Sequence, residues 1–307
     1  MYPIRYILAS IIKYGRPYIK LFMLMICGQG AEVTTMEATS MAEEREIVKK
    51  MRVKKLREGS NSTPVVYHYS GNYYVYKALG KNINMSLGEA QKLIRLMRDY
   101  MEGLNTAGVK TATNISLNPL RDSDKYIIEE LSLLVDEGVD LSGMLERNML
   151  NRGTAVSLYE ELLEILMRAV NYNNTKDNIR SNILLDSAPR NFVMGIDGLT
   201  YVDFFFPKFW RDGHLYPFFQ IGNVPREWHE FRFGDKRGLL IVALVYAMAS
   251  TEKFDIKDSF VNATIDVLKE EKEMRVLNYV EHSIEKKFDN CYFIRRSIIN
   301  RALFGWR

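Results

Sequence analysis

Residues 184–207 most restrict what this chain can fold into, because they combine two apolar segments, a turn and a few polar side chains. They read LLDSAPRNFVMGIDGLTYVDFFFP. NFVMG and LTYVDF flank Ile196-Asp197-Gly198, and an Asp-Gly pair between apolar runs predicts a β-hairpin. A purely structural hairpin has no evident need for Asp186 and Asn191 before it, or for Asp203 at its end. These three side chains are therefore candidates for a functional site.

The loop D-x-x-P-x-N places Asp186 and Asn191 on one short segment, in which Pro189 restricts the backbone. Asp203 returns towards Asn191 across the hairpin. Phosphoryl transfer uses such a set, because one carboxylate orients or deprotonates the attacking hydroxyl while an amide and a second carboxylate hold Mg²⁺. The alternative is that Asp186 and Asn191 are turn residues beside a proline. Asp203 lies between apolar YV and FFF, where a buried carboxylate needs a partner or a metal.

The region before residue 131 predicts a small antiparallel sheet with one helix. The charged pattern over 43–56 predicts a helix. VVYHYSGNYYVYKAL then predicts two strands joined by a turn at Ser70–Asn72. MSLGEAQKLIRLMRDYMEGL has the apolar stripe of a helix that begins with an S-x-x-E capping box, Ser86 and Glu89. TATNISL and KYIIEEL predict two further strands separated by a turn at NPLRDSD.

The later part of the chain predicts mainly helices, over 154–170 and from 235 onward. The expected fold class is α+β, with a small antiparallel β-rich N-terminal lobe and a larger, mainly helical C-terminal lobe. The corresponding domains are 1–40, an N-terminal extension; 41–131, the first lobe; and 132–307, the second lobe, which contains the hairpin.

Charge and cysteine content restrict the classes of function and the compartment that we expect. The 307 residues carry a formal net charge of +4, and the four charges before Glu32 are all positive, so that 32–307 are neutral. Nucleic-acid binding normally needs a strong basic field, which this body lacks. The two cysteines are isolated, which favours a reducing compartment, and we expect a cytoplasmic protein.

The basic extension contains LFMLMIC, which is too short for a bilayer span of about 20 residues. Membrane-surface contact through 1–27, a signal peptide, a disordered extension and a later start at Met36 or Met41 are the alternatives.

D-x-x-P-x-N, a hairpin and then V-D-F resemble the catalytic and metal motifs of the protein-kinase-like superfamily, and look closest to its aminoglycoside phosphotransferase and choline kinase branch. The resemblance covers about 55–250 and implies a two-lobed fold that binds ATP and Mg²⁺ in the cleft between its lobes. It implies that Asp186 is the catalytic base, Asn191 a metal ligand and Asp203 the chief Mg²⁺ ligand. The implied product is a phosphorylated hydroxyl of a small molecule.

The resemblance also assigns nucleotide-binding residues in the first lobe. It makes Lys77, in VYK, the phosphate-binding lysine. Glu89 would be its partner on the following helix, although the capping box explains Glu89 equally well and Glu102 is a further candidate. The nucleotide loop would be GSNST, with Gly59, Ser60, Asn61 and Ser62. The adenine-binding hinge would be Glu129, Glu130 and Leu131.

Two departures from the family pattern leave other functions open. The family usually has a histidine two residues before the catalytic aspartate and a glycine after D-F, where this chain has Leu184 and Phe205. The motifs H-R-D, D-F-G and A-P-E of regulated protein kinases are absent. The alternatives to a small-molecule phosphotransferase are a pseudokinase or nucleotide-binding regulatory module, and a kinase that acts on a dedicated protein partner.

Overall fold

The structure, a computed structural model, describes residues 52–56, 64–69, 71–174, 182–211, 214–216, 229, 232–233 and 236–270. The chain divides into two compact units. Unit 1 comprises the chain up to Leu96 together with Ala112–Leu134, and unit 2 comprises Met97–Thr111 and the chain from Val135 onward. The extension 1–40 and the predicted nucleotide loop, Gly59–Ser62, lie outside the described residues.

Unit 1 contains a five-stranded sheet in which each neighbouring pair is antiparallel. Gly71, with a φ of +77°, lies in the tight turn predicted between the second and third strands. The strand at the start of the sheet corrects part of the prediction of a helix over 43–56, since Arg52–Lys55 pair with the next strand instead, whereas 43–51 lie outside the described residues. The strands are β1 (Arg52–Lys55), β2 (Val65–Tyr69), β3 (Asn72–Leu79), β4 (Asn114–Asp122) and β5 (Lys125–Leu133), in the order β1-β2-β3-β5-β4.

Strand β4 is longer than predicted, because it runs through the NPLRD segment that was expected to turn. Pro119 lies opposite Ile128 within the β4–β5 ladder. Because β4 is at the edge of the sheet, a residue without an N–H group can be accommodated there. The turn itself is reduced to two residues, and Ser123 adopts a φ of +61°.

Helix α1 (Leu87–Thr106) confirms the predicted helix and belongs partly to each unit. The capping box is present, since Glu89 N–H donates to Ser86 Oγ at 3.3 Å and Ser86 N–H donates to Glu89 Oε2 at 2.8 Å. Most of the predicted apolar stripe is buried, including Leu93, Met97 and Leu104, whereas Leu87 in the first turn is 41% exposed.

Unit 2 is mainly helical, and its core forms between two long helices. The helices are α2 (Leu141–Glu146), α3 (Arg152–Asn174), α4 (Lys236–Ala249) and α5 (Phe254–Glu270). Between α3 and α5, the buried Tyr159 hydroxyl is 2.7 Å from that of Thr264, and the Tyr159 ring centroid is 4.5 Å from that of Phe260. The strands are β6 (Asn182–Ile183), β7 (Phe192–Gly195), β8 (Gly198–Tyr201), β9 (Phe209–Arg211) and β10 (His214–Tyr216), in two small sheets ordered β10-β9-β6 and β7-β8.

The α+β class is confirmed, with an antiparallel sheet in one unit and mostly helices in the other. Within the described part of the chain, no helix combines the length and the apolar composition needed to cross a membrane.

Candidate active site

The loop that carries Asp186 is fixed by three helices of unit 2. At its start, the Asn173 side chain of α3 donates to Ile183 O at 2.7 Å and accepts from Ile183 N–H at 2.9 Å. The Tyr100 hydroxyl of α1 donates to Leu184 O at 2.5 Å. Further along, Ser187 Oγ donates to Leu239 O of α4 at 2.7 Å. Because these bonds hold the backbone itself, the direction of the Asp186 side chain is set by the helical core.

Asn191 joins this loop to the hairpin. It ends a single turn of 3₁₀-helix, Pro189–Asn191, and its Nδ2 donates to Asp186 O at 3.2 Å. Its own carbonyl accepts from Val202 N–H at 2.9 Å, which extends the β7–β8 pairing to the residue before Asp203. Hydrogen bonds therefore join the Asp186 loop, Asn191 and the strand end that immediately precedes Asp203.

The hairpin turn depends on Gly198, whose φ is +100°. L-residues with a side chain adopt such a backbone only with strain. A Cβ at this position would also strike the Glu161 carboxylate of α3, which accepts from Leu199 N–H at 2.7 Å. Glu161 thus anchors the return strand that leads to Asp203.

Asp186 is buried and paired with a cation that the sequence did not indicate. Nη2 of Arg232 lies 2.7 Å from Oδ1 and 2.9 Å from Oδ2 of Asp186, and Oδ1 also accepts from Ala188 N–H at 3.3 Å. Burial alone would raise the pKa of Asp186, but Arg232, Lys208 and Arg190 together lower it to about 2. Asp186 is consequently ionised at neutral pH.

Asp203 is paired with a second cation that sequence reasoning missed, Lys208. Its Nζ donates to Asp203 Oδ2 at 3.3 Å and to Phe206 O at 3.0 Å, and Lys208 is buried. The Lys208 charge also lowers the pKa of Asp186. Burial alone would lower the pKa of Arg232, but the negative charges of Asp186 and Asp203 contribute to raising it. The two carboxylates and the two cations therefore form one electrostatic cluster.

The sequence offered a signal for only one of these cations. Lys208 directly follows the apolar run FFFP, and a lysine at that position suggests a buried charge that needs a partner. Arg232 is 46 residues from Asp186 and belongs to no recognisable motif. Only the fold of unit 2 brings it to the site.

Two buried tyrosines form hydrogen bonds with the backbone of the Asp186 loop. The Tyr201 hydroxyl accepts from Asp186 N–H at 3.4 Å, and the Tyr100 hydroxyl binds Leu184 O, at the position where the family pattern has its histidine. Burial raises the pKa of both hydroxyls, and the neighbouring Asp186 and Asp203 raise them further. Both tyrosines therefore stay protonated and serve as fixed hydrogen-bonding groups.

The described residues include no group of three or more His, Cys, Asp or Glu side chains placed to bind a metal. Magnesium does not need one, because it is usually held by one or two protein oxygens, water and substrate phosphates. Asn191 donates through Nδ2, which leaves its amide oxygen for ligation, and Lys208 occupies Oδ2 of Asp203 rather than Oδ1. These hard oxygen donors fit Mg²⁺.

In unit 1, the structure corrects the predicted partner of Lys77. The ion pair it shows joins Lys77 Nζ to Glu130 Oε1 at 3.0 Å, with the Glu130 side chain fully buried. Lys77 and Glu130 lie opposite each other in the β3–β5 ladder, so the strand register brings them together. Glu89 instead accepts from the backbone and hydroxyl of Ser86, and these bonds lower its pKa. Helix capping is therefore the role that the structure gives to Glu89.

The predicted hinge, Glu129–Leu131, lies in the middle of β5 rather than at the end of the sheet. Because β5 pairs with β3 on one side and β4 on the other, its backbone groups are used within the sheet. The Glu129 side chain accepts from the Tyr76 hydroxyl at 3.1 Å. Backbone recognition of adenine is therefore not expected at these residues.

In comparisons with known proteins, no family model and no curated protein matches this sequence. Among solved structures, the chain is similar to WaaP in complex with acyl carrier protein, at 15% sequence identity and a TM-score of 0.42. The match covers 78% of this chain and 91% of that chain.

Proposed function

We propose that the chain is an ATP- and Mg²⁺-dependent phosphotransferase that moves the γ-phosphoryl group to a hydroxyl of a small-molecule acceptor. The observation that carries this proposal is the junction of the Asp186 loop and the β7–β8 hairpin, where Asn191 binds both the Asp186 carbonyl and Val202 N–H. Two carboxylates and an amide on one rigid support suit the positioning and charge neutralisation on which phosphoryl transfer depends.

Asp186 is assigned to the acceptor hydroxyl. A carboxylate with a pKa of about 2 is a weak base, so its main contribution is to accept a hydrogen bond from the hydroxyl and orient it. Arg232 approaches both carboxylate oxygens through a single nitrogen. Oδ1 also accepts from Ala188 N–H, so Oδ2 is the oxygen with a further lone pair for the acceptor.

In the transfer step, the acceptor oxygen forms a bond to the γ-phosphorus while the bond from that phosphorus to the β–γ bridging oxygen breaks. ADP leaves with the electron pair, and the hydroxyl proton passes through Asp186 to solvent. Bound Mg²⁺, held by Asn191 and Asp203, would neutralise charge on the phosphates. Lys77, held by Glu130, is assigned to the α- and β-phosphates, and Gly59–Ser62 remain a prediction for phosphate contacts.

A nucleotide-binding regulatory module is the second candidate. The observation that favours it is that Asp186 and Asp203 already have cationic partners, Arg232 and Lys208, within the chain. A module of this kind would bind Mg·ATP without transferring phosphate to any acceptor.

The test is transfer of label from γ-labelled ATP to pooled hydroxylated metabolites, combined with Mg·ATP binding measured by calorimetry. We expect Asp203→Ala to abolish transfer without unfolding the protein. Asp197→Ala is the matched control, because Asp197 is in the turn of the same hairpin and its side chain is 83% exposed. Unchanged transfer by Asp203→Ala would refute the proposed function, whereas wild-type binding of Mg·ATP without any transfer would favour the module.

A further inference from the structure

The charged side chains around Asp186 include more cations than carboxylates. Arg232 and Lys208 pair with Asp186 and Asp203 respectively. Arg190 is a third cation, within the 3₁₀ turn between Asp186 and Asn191, and its charge also acts on Asp186. Among the described residues, no carboxylate lies within ion-pairing distance of Arg190.

The two arginines of this cluster share one aromatic ring. The guanidinium carbon of Arg190 lies 5.4 Å from the Tyr246 ring centroid, and that of Arg232 lies 5.8 Å from it. An arginine over a tyrosine face is attracted by the ring, but two guanidinium groups around one ring repel each other. Among the described residues, Asp186 compensates one of the two charges, and no second carboxylate pairs with either guanidinium.

The hydrogen-bond donors of these arginines are largely unused. Arg232 bonds to Asp186 through Nη2 only, and its buried Nε has no acceptor among the described residues. Arg190 is exposed, and its guanidinium donates no hydrogen bond within the described part of the chain. Guanidinium groups bind phosphate oxygens through paired N–H donors, and a phosphate group offers three terminal oxygens and up to two negative charges.

We propose that the acceptor of the phosphotransferase carries a phosphate group besides the hydroxyl that is phosphorylated, and that Arg190 and Arg232 bind this group over Tyr246. This inference rests on the proposed function and names its substrate class as phosphorylated, hydroxyl-bearing metabolites. It excludes cationic acceptors such as aminoglycosides, which Arg190 would repel.

The first experiment measures the binding of inorganic phosphate to the full chain by calorimetry, with and without saturating Mg²⁺ and a non-hydrolysable ATP analogue. We expect phosphate to bind under both conditions, and Arg190→Gln to weaken its binding by at least about tenfold. Arg190→Lys should weaken it less. Arg168→Gln is the matched control, since Arg168 is a half-exposed arginine of unit 2 that pairs with Glu164 on the helix surface. If the analogue displaces phosphate, or if acetate binds equally well, the inference is wrong.

The second experiment compares transfer to sugar and polyol phosphates with transfer to the same compounds without phosphate. We expect label only on the phosphorylated acceptors, and in Arg190→Gln a raised KM with little change in kcat. Equal labelling of neutral or cationic acceptors in both proteins would overturn the inference and leave the proposed function standing. Labelling of no acceptor, although phosphate binds, would overturn the proposed function and the inference with it.

Discussion

Replacing Arg232 by Met tests whether the Asp186–Arg232 pair has the energetic weight that its burial implies. The two side chains are only 14% and 10% exposed, for Arg232 and Asp186 respectively. Removing one partner of a buried pair leaves an uncompensated charge, which typically costs about 3–5 kcal/mol. The decrease in the pKa of Asp186 from 3.8 to about 2 corresponds to about 2.5 kcal/mol in favour of the ionised form. We therefore expect Arg232→Met to lower the free energy of unfolding by about 2–5 kcal/mol at neutral pH.

The pH dependence gives this prediction a second, independent readout. A carboxyl whose pKa is lower in the folded protein stabilises the fold above its unfolded pKa, and the stabilisation is lost as pH falls through the folded pKa. For Asp186 that range runs from about pH 4 down to about pH 2. Without Arg232, burial is opposed only by Lys208 and Arg190, so the pKa of Asp186 should be higher than in the wild type and the variant should lose less stability in this range.

The assay is urea unfolding of the full chain, and Arg168→Met is the control. Arg168 makes an i,i+4 pair with Glu164 in which the two side chains are 50% and 70% exposed. Such surface pairs contribute at most about 0.5 kcal/mol. The double variant Arg232→Met/Asp186→Asn should recover part of the loss, because it removes the uncompensated charge. If Arg232→Met is no more destabilising than Arg168→Met, the electrostatic account of this cluster is wrong.

Two further predictions concern hydrogen bonds that hold the elements of the fold. Tyr100→Phe removes the buried donor to Leu184 O and should lower the free energy of unfolding by about 1–3 kcal/mol; a urea midpoint equal to that of the wild type would contradict the support assigned to this tyrosine. Glu89→Gln should lower stability above pH 4.5, the ordinary carboxyl pKa, because the bonds from Ser86 lower the pKa of Glu89 in the folded protein. The stability difference between wild type and Glu89→Gln should then disappear as pH falls below 4.5. Thermal unfolding at several pH values measures this difference, and a difference that persists at low pH would contradict the capping role of Glu89.

Local features of the fold could be predicted because their causes lie within a few residues. The capping box at Ser86 and Glu89 and the β7–β8 hairpin around Gly198 are present as expected. The turn predicted over NPLRDSD is present but shorter, because β4 is an edge strand of the sheet, where Pro119 is accommodated and the strand continues to Asp122.

The candidate site divides in the same way. Asp186, Asn191 and Asp203 could be selected from the sequence, since one loop and one hairpin connect them. The residues of the turns, Pro189 and Asp197-Gly198, indicate both structures. The partner of Lys77 could not, because Glu130 reaches it through the register of β3 against β5, and a helical glutamate is equally plausible until that register is known.

The sequence by itself therefore determined several short-range structures: the β7–β8 hairpin, the capping of α1, and the loop that Asp186 and Asn191 share. Only the tertiary structure decided which charges meet, since Arg232 reaches Asp186 across 46 residues with no periodicity to relate them. Turns and helices depend on neighbouring dihedral angles and on hydrogen bonds between nearby residues, which the local sequence specifies. An ion pair between distant residues depends on how whole elements pack, and burial then decides how strongly the two charges act on each other.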